Sequence, residues 1–309
     1  MSGLVDVVLG YDCNLACDYC TITPEMRRRE LPSRRVVEEL SRGAQDGFDR
    51  VAFTGGEPTI RRDLLALVTA ARRLSYASVK IQSNGLLFTR TNVARLLAAG
   101  ATLLHVSIHT HDPAQYDALV GREGAYPLMV AGLREAIASG LPVVVDVILK
   151  EDTYRDLPDR LAFLARLGVG RVDLWFVSLT DNNREAIGSL PRMTDVVPLI
   201  REAHERVPEI ELRSLHVPRC LLGELAPLAF DPGADRVRVV TPDAVFELKD
   251  SRLAGRRHVP ACAGCEHETI CPGARPDYLE VYGDAEIATA RGLSPSLAPV
   301  RLPLAPKAR

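Results

Sequence analysis

Short apolar segments recur between residues 4 and 177, and segments with apolar residues at helical spacing separate them. Six of the apolar segments are rich in residues that favour strands, and they predict strands at residues 4–9, 50–53, 79–82, 103–108, 142–149 and 172–177. The helical spacing predicts helices that begin near residues 33, 62, 91, 113, 126 and 156. Strands that alternate with helices favour parallel pairing through right-handed crossovers.

Six strand–helix units, rather than eight, suggest an α/β fold with an open, partial (β/α)6 TIM-type barrel. The periodicity alone also allows a flat, doubly wound sheet. In both geometries the functional face lies at the carboxyl ends of the strands, so the loops that follow the strands are expected to meet there.

The pattern changes beyond residue 183, where no further strand–helix repeat is evident. We predict a barrel domain at residues 1–190, a small second domain at residues 191–291 and a C-terminal tail at residues 292–309. The second domain contains one predicted helix and short strands near residues 210–212 and 236–240. The tail is rich in Pro, Leu and Ala.

The composition is that of a globular protein, with 47% apolar and 25% charged residues in a chain of 309. The net charge of -2 gives no basic field for a nucleic-acid partner. No run of about 18 apolar residues predicts a membrane span, and no secretory signal is visible. Seven cysteines without such a signal predict a reducing, cytoplasmic setting and metal ligation rather than disulfides.

Three of the cysteines, Cys13, Cys17 and Cys20, follow the first predicted strand at C-x3-C-x2-C spacing. Three thiolates on one loop can hold three irons of a cubane cluster and leave the fourth iron to a ligand that is not protein. The alternatives are a structural zinc loop or unligated thiols. Zinc requires a fourth ligand close by, and the nearest downstream candidate, His105, is far along the chain.

This loop resembles that of the radical S-adenosylmethionine (SAM) superfamily, in which an aromatic residue, here Tyr19, precedes the last cysteine. The resemblance implies a [4Fe-4S] cluster that binds SAM, with Tyr19 beside it, and it favours the partial barrel. Gly55, Gly56 and Glu57, after the second strand, are similar to the family's GGE motif. By resemblance they contact the methionine end of SAM, and the alternative for the Glu57 carboxylate is to brace the loop.

Polar residues also follow the third and fourth predicted strands. Ser83 and Asn84 stand where the family places contacts to the SAM carboxylate or ribose, and the alternative is turn capping. Ser107 lies at a third SAM-contacting position. His109 and His111 alternate with apolar or small residues, so both are expected to point the same way as Ser107. A lone histidine is usually structural, but two at the active face are candidates for substrate contact or proton transfer.

The other four cysteines are Cys220, Cys262, Cys265 and Cys271. Four thiolates can close either a zinc site or a [4Fe-4S] cluster, and spacing alone does not choose between them. The segment resembles the twitch or SPASM-like module of radical SAM enzymes, which implies an auxiliary [4Fe-4S] cluster with four cysteine ligands. If Cys220 is not a ligand, the cluster has an open iron, or one thiol is free to give a hydrogen atom to a substrate radical.

The resemblance implies that a flavodoxin- or ferredoxin-like donor reduces the first cluster and that SAM is cleaved to a 5′-deoxyadenosyl radical, which abstracts hydrogen from a substrate. The first hypothesis is an oxidoreductase that oxidises or epimerises a carbinol of a small polar metabolite, such as an aminoglycoside or cyclitol. The second is modification of a ribosomal peptide by thioether formation or epimerisation. The third is a non-enzymatic iron–sulfur carrier or sensor, against which the glycine motif argues.

Overall fold

A computed structural model describes residues 2–231, 235–251 and 255–301. The last part of the predicted tail, residues 302–309, therefore lies outside the described residues. Within the described ranges, the structure contains no helix that combines the length and the apolar character needed to cross a membrane.

Nine strands form one sheet in the part of the chain that the structure describes, in the order β7-β6-β5-β4-β3-β2-β1-β8-β9. They are β1 Gly3–Val8, β2 Arg50–Thr54, β3 Ser78–Ser83, β4 Leu103–Ser107, β5 Val143–Leu149, β6 Arg171–Phe176, β7 Glu211–Ser214, β8 Arg236–Val240 and β9 Val245–Glu247. Neighbouring strands are parallel except β8 and β9. The sheet does not close into a barrel, because β7 and β9 are its edges.

Helices connect the parallel strands, as the sequence predicts. They are α1 Ser33–Gln45, α2 Leu64–Arg73, α3 Arg90–Ala99, α4 Pro113–Val120, α5 Ala125–Ala138, α6 Leu157–Leu167, α7 Met193–Arg206, α8 Arg219–Leu222, α9 Pro276–Tyr282 and α10 Ala285–Ala290. The starts of α3 and α4 are set by side-chain caps: Thr89 accepts from the Asn92 N–H, and Asp112 accepts from the Gln115 N–H.

The two faces of the sheet differ in burial. Val5 and Ile81 belong to the residues that face the helices, and both are fully buried. The neighbouring positions on the same strands, Asp6 on β1 and Lys80 on β3, are part exposed. Because side chains of a strand alternate between faces, the part-exposed residues share the second face, which we call the inner face.

The structure extends the strand–helix pattern further than the sequence predicts. Helix α7 packs on α6 and leads into β7, which pairs in parallel with β6. Strand β8 pairs in parallel with β1 on the opposite side of the sheet. The absence of a further repeat was therefore a wrong expectation: the strand predicted near residues 210–212 is β7, and its four residues do not reveal in the sequence that it pairs with β6.

A second, small group of buried apolar residues lies apart from the main core. Its members come from the segments that carry the second cysteine set and from α9 and α10: Val259, Ala261, Ala274, Leu279, Ile287 and Ala288. Cys220 and Cys262 pack against this group. The main core comprises residues of the strands and of the helices α1 to α7, and it also includes Leu222 of α8 and Tyr278 and Val281 of α9.

Candidate active site

The loop with the first three cysteines is anchored to the end of α4. The backbone N–H groups of Ala16 and Asp18 donate to the carbonyl oxygens of Val120 and Leu119, both at 3.0 Å. Gly121 ends the helix at a φ of +64°, and a Cβ there would lie 2.8 Å from the Ala16 oxygen. Only glycine therefore allows the loop and the helix to approach this closely.

Two cations hold the same loop from other sides. The Arg27 guanidinium donates to the carbonyl oxygens of Cys13 (3.3 Å) and Leu15 (2.9 Å). Lys150, which follows β5 directly, is buried and lies 2.5 Å from the Asp18 carboxylate. Sequence reasoning missed both residues: Lys150 is 132 positions from Asp18, and Arg27, although near its partners in the chain, contacts their backbone oxygens, which leave no pattern in the sequence.

The loop after β6 also clamps the cysteine loop. The Asn182 side chain donates to the Cys20 carbonyl oxygen at 3.1 Å, and the Asn183 side chain donates to the Tyr19 carbonyl oxygen. Two adjacent asparagines shortly after a predicted strand were the available signal in the sequence. Both asparagines thus hold the backbone of the loop, and neither donates to a cysteine sulfur.

The three thiols lie half-buried, and no disulfide joins them to each other or to the remaining cysteines. Burial raises the pKa of Cys17 to about 12, and nearby thiolates add to the shift. Burial also raises the pKa of Cys13. Thiols in this setting ionise readily only when a metal compensates their charge, which is what an iron–sulfur cluster supplies.

The glycine loop after β2 lies directly against the start of the cysteine loop. The Gly56 N–H donates to the Gly10 carbonyl oxygen at 2.9 Å, and the Glu57 N–H donates to the Asp12 carbonyl oxygen at 2.8 Å. A Cβ at Gly55 would lie 2.3 Å from the Gly10 oxygen, and one at Gly56 would lie 2.0 Å from the Asp12 oxygen. The loop therefore tolerates no side chain at these two positions.

The Glu57 carboxylate is buried and makes its contacts within the chain. It accepts from the Thr59 N–H (3.0 Å) and hydroxyl (2.6 Å), from the Ser83 hydroxyl (2.8 Å) and from the Asn84 N–H (2.8 Å). Burial raises the pKa of Glu57, and these hydrogen bonds oppose the rise. The Glu57 carboxylate therefore braces the loop after β2 against the loop after β3. The contacts of residues 55–57 with SAM stay a prediction.

Ser83 and Asn84 face different partners. The Ser83 oxygen also accepts from the Gly85 N–H at 3.0 Å and is buried in the turn. The Asn84 amide points to the cysteine loop: it donates to the Asn14 side chain at 2.8 Å and lies 4.0 Å from the Cys13 sulfur. Asn84 is therefore the member of the pair that a ligand at the cysteine loop would meet.

His109 lies buried behind Tyr19, with the two rings edge-to-face at 4.6 Å. Its Nδ1 accepts from the Ile148 N–H at 3.0 Å, so the ring proton is on Nε2. Burial lowers the pKa of His109 to about 3, so the imidazole is neutral at physiological pH.

His111 lies in different surroundings. Its Nδ1 is 3.2 Å from the Asp156 carboxylate, and its ring packs beside Phe163 of α6. The expectation that both histidines point the same way as Ser107 is therefore wrong. Strand β4 ends at Ser107, so the alternation of side chains does not continue through the following residues.

The family model of the Radical SAM superfamily matches residues 7–164, just over half of the 309 residues. The chain belongs to the radical SAM superfamily. It is therefore an enzyme of a family that uses SAM and a [4Fe-4S] cluster, and the free thiols of the cysteine loop and the closely packed glycine loop fit these groups.

Relatives carry more specific names. The chain is 29% identical over 247 residues to a probable GTP 3′,8-cyclase of Sulfurisphaera tokodaii, covering 75% of this chain and 76% of the relative. It is 33% identical over 168 residues to the PqqA peptide cyclase of Gluconobacter oxydans, covering 54% of this chain and 47% of that relative. The chain thus matches about half the length of the second relative.

Solved structures share the fold. Streptococcus suis SuiB bound to the precursor peptide SuiA superposes with a TM-score of 0.70 at 14% identity, covering 90% of this chain and 73% of that one. SuiB bound to S-adenosylmethionine gives a TM-score of 0.68 at 15% identity, covering 90% of this chain and 74% of that one. At these identities the likeness concerns the radical SAM fold alone.

The structure of this radical SAM enzyme brings the four remaining cysteines together. Cys220 lies on α8, and the other three lie in the loop between β9 and α9. Burial raises the pKa of Cys220 to about 11, and the charges of Cys271, Cys265 and Cys262 add to the shift. Cys220 is therefore close enough to join the three others around one metal centre.

The spacing of the sulfurs separates the two candidate metal centres. Tetrahedral zinc with bonds of about 2.3 Å would bring its thiolate sulfurs within about 3.8 Å of one another. Among the residues with described positions, no three cysteine sulfurs lie within 4.8 Å of one another. A cubane binds each thiolate at a different iron and so spaces them more widely. The two candidate centres therefore require different spacings of the sulfurs.

The inner face of the sheet carries polar side chains that sequence reasoning did not assign to the site. They interrupt apolar strands at alternate positions, which was the available signal: Asp6, Lys80, Gln82, His105, Asp146, Asp173, Trp175 and Arg213. The Gln82 amide of β3 donates to the Asp146 carboxylate of β5 at 3.2 Å, across β4. The inner face of the sheet is therefore lined by polar side chains that contact one another across the strands.

Proposed function

We propose that this radical SAM enzyme is an oxidoreductase that removes a hydrogen atom from a carbinol of a small polar metabolite, with oxidation or epimerisation as the outcome. One observation supports this most directly: the cysteine and glycine loops lie at the carboxyl edge of a sheet whose inner face is polar and part exposed. A polar substrate is accommodated on such a face without leaving buried polar groups unpaired.

Residues of three loops hold the cofactors in this proposal. Cys13, Cys17 and Cys20 bind a [4Fe-4S] cluster and leave one iron to SAM, and the loop at residues 55–57 receives the methionine end. Reductive cleavage of SAM, with an electron from a flavodoxin- or ferredoxin-like donor, is the chemistry that these groups supply when bound. Asn84 orients the cofactor through its amide, and Tyr19 shields the loop from water.

The second cysteine set holds an auxiliary [4Fe-4S] cluster in this proposal, in a twitch-like domain at residues 191–291 beside a partial (β/α)6 barrel formed by β1 to β6. Two observations support it: the proximity of Cys220 to the other three thiols, and, among the described residues, the lack of any three cysteine sulfurs within 4.8 Å of one another. With four thiolates the auxiliary site has no free coordination position, so its role is electron exchange with the substrate.

A peptide substrate is the second candidate. The similarity to the PqqA peptide cyclase favours it, because that relative is 33% identical over the matched 168 residues. Under this alternative the same site acts on a side chain of a ribosomal peptide.

Anaerobic incubation of the reconstituted protein with dithionite and SAM tests the proposal. We expect 5′-deoxyadenosine to form, and we expect deuterium to appear in it when a substrate deuterated at the carbinol carbon is supplied. The variant Cys17→Ala serves as the control for non-enzymatic cleavage. Absence of 5′-deoxyadenosine from wild-type protein that carries its full iron content would contradict the proposal, and deuterium transfer only from peptides would favour the second candidate.

A further inference from the structure

We propose that Arg275 and Asp277, which follow the second cysteine set in the chain, are positioning residues for the first set. They hold the loop after β6 at residues 177–183, and this loop holds the backbone of the first cysteine loop. The inference rests on the proposed function, in which the first set binds the cluster that receives SAM. It goes further by making that site depend on side chains of the segment that carries the other cysteines.

Arg275 is buried, and its guanidinium lies against the end of β6. Its Nη1 donates to the carbonyl oxygen of Phe176, the last residue of the strand, and its Nη2 donates to that of Val177, both at 3.1 Å. One planar guanidinium reaches both oxygens because its donors form a rigid fork. Arg275 therefore fixes the direction in which the following loop leaves the sheet.

Asp277 extends this hold into the loop. Its carboxylate accepts from the Leu179 N–H at 3.0 Å and from the Arg275 Nε at 2.9 Å. The side chains of Arg275 and Asp277 are only 9% and 13% exposed, so this ion pair is largely shielded from water. Removing either member would leave the other as an uncompensated buried charge.

His216, which follows β7, supports the same corner from the neighbouring strand. Its Nδ1 accepts from the Phe176 N–H at 3.0 Å and lies 3.1 Å from the Arg275 Nη1. Burial lowers the pKa of His216 well below its ordinary value, and the charges of Arg275 and Arg256 lower it further. The imidazole is therefore neutral at physiological pH and accepts through Nδ1, with its proton on Nε2.

Arg275 is tied to the second cysteine set by a short, fixed stretch of chain. Ala274 exchanges two backbone hydrogen bonds with Arg257, both of 2.9 Å. Gly273, between Cys271 and Ala274, has a φ of +90°, and a Cβ there would lie 2.3 Å from the Arg257 oxygen. Because only glycine allows this approach, the position of Arg275 follows from that of Cys271.

The far end of the same loop contacts the first cysteine set. The Asn182 side chain donates to the Cys20 carbonyl oxygen at 3.1 Å, and the Asn183 side chain donates to that of Tyr19. Few residues separate these contacts from those at the end of β6, and Leu179 between them is buried. The loop therefore has little freedom to absorb a displacement, and a shift at one end moves the backbone of a cysteine at the other.

Two consequences follow from this series of contacts. Loss of the Arg275 guanidinium should loosen Cys20 relative to the other two thiols of its set, and SAM should then bind more weakly. None of the contacts named here uses a cysteine side chain, so Cys265→Ala leaves them in place. The second segment thus supports the first site through Arg275 and Asp277 rather than through its own metal centre.

Hydrogen exchange with mass spectrometry tests the coupling without SAM chemistry. The peptide of residues 14–22 is compared in anaerobic holoenzyme of the wild type, Arg275→Gln and Asn183→Ala. The N–H groups of Ala16 and Asp18 in this peptide are protected by their hydrogen bonds to α4. We expect exchange to be about tenfold faster in both variants, because each removes a contact that holds the loop.

Calorimetric titration of the holoenzyme with SAM, without reductant, is the second measurement. Arg275→Gln and Asn183→Ala are each expected to weaken SAM binding about tenfold, the size of effect typical of residues that support metal ligands. The double variant should bind SAM about as weakly as either single variant, because both residues act through the same loop.

Arg192→Gln is the matched control. Arg192 is exposed, and its side chain packs on the ring of Tyr282 in α9, 4.5 Å from the centroid, rather than on the loop after β6. This variant also loses an arginine contact to the C-terminal segment, but it should keep the exchange rate and the SAM affinity of the wild type. If Arg275→Gln does not fold, Asp277→Asn, which keeps the shape of the side chain and removes its charge, takes its place.

Exchange or SAM affinity in Arg275→Gln equal to that in Arg192→Gln, or additive losses of affinity in the double variant, would overturn the inference. A wild-type holoenzyme that does not bind SAM would instead contradict the proposed function, and hydrogen exchange would still decide whether Arg275 holds the first cysteine loop.

Discussion

The two cysteine sets of this chain are held in different ways. The first set lies on one short loop, which receives hydrogen bonds from the end of α4, from Arg27 and from the asparagines after β6. The second set joins Cys220 of α8 to a loop that is largely exposed, and it packs on a small separate core. One set therefore lies on a loop of the main core, and the other lies next to the smaller core.

The difference agrees with the different roles proposed for the two sets. Three thiols next to a glycine loop leave a coordination position at the carboxyl edge of the sheet, where a cofactor and a substrate can meet. Four thiols close their site, which suits electron transfer. The comparison is testable, because each set can be disrupted alone.

The largest effect is expected for Cys17→Ala, which removes one ligand of the first set. Iron content of the reconstituted protein should fall by about half, and SAM cleavage should fall to the level without enzyme. Iron analysis and 5′-deoxyadenosine formation measure the two effects. Retained cleavage would show that the first set does not bind the catalytic cluster.

Cys265→Ala should affect the second set alone. Iron content should again fall by about half, while cleavage of SAM in the absence of substrate continues. Substrate turnover should stop, because the electron exchange is lost. Zinc found in the wild-type protein at one equivalent, and lost in this variant, would contradict the assignment of the second set.

The next effect concerns the brace between the glycine loop and β3. Glu57→Gln places a buried NH2 group against the N–H and hydroxyl groups that donate to the carboxylate, and leaves donors without an acceptor. The free energy of unfolding should therefore decrease by up to about 3 kcal/mol. Denaturant unfolding of the metal-free protein measures this change. The exposed Glu38→Gln on α1 is the control and should stay within about 0.5 kcal/mol of the wild type.

A smaller effect follows from His109. Its pKa of about 3 lies below the ordinary value of 6.5, so between these limits the unfolded chain binds a proton that the folded chain does not. Stability from this residue is therefore complete above pH 6.5 and decreases as the pH falls, by about 2 kcal/mol between pH 7 and pH 5. Denaturant unfolding at the two pH values should show this decrease in the wild type and a smaller one in His109→Gln.

The sequence was sufficient for the six central strands, because each is a buried apolar segment between helices with regular spacing. It was also sufficient for the cysteine and glycine motifs, which are local in the chain. It could not predict the contacts of Lys150 with Asp18 or of Asn183 with Tyr19, since these join residues more than a hundred positions apart. The pairing of β7 with β6 and the divergent surroundings of His109 and His111 likewise depend on where strands end and lie in the sheet, which periodicity does not define.

The most direct test of the difference between the two cysteine sets is electron paramagnetic resonance of the reduced, anaerobically reconstituted protein with and without SAM. Two [4Fe-4S] signals are expected, of which one shifts when SAM is added and disappears in Cys17→Ala, while the other stays unchanged and disappears in Cys265→Ala. A single signal, or two signals that both ignore SAM, would contradict the division of roles between the two sets.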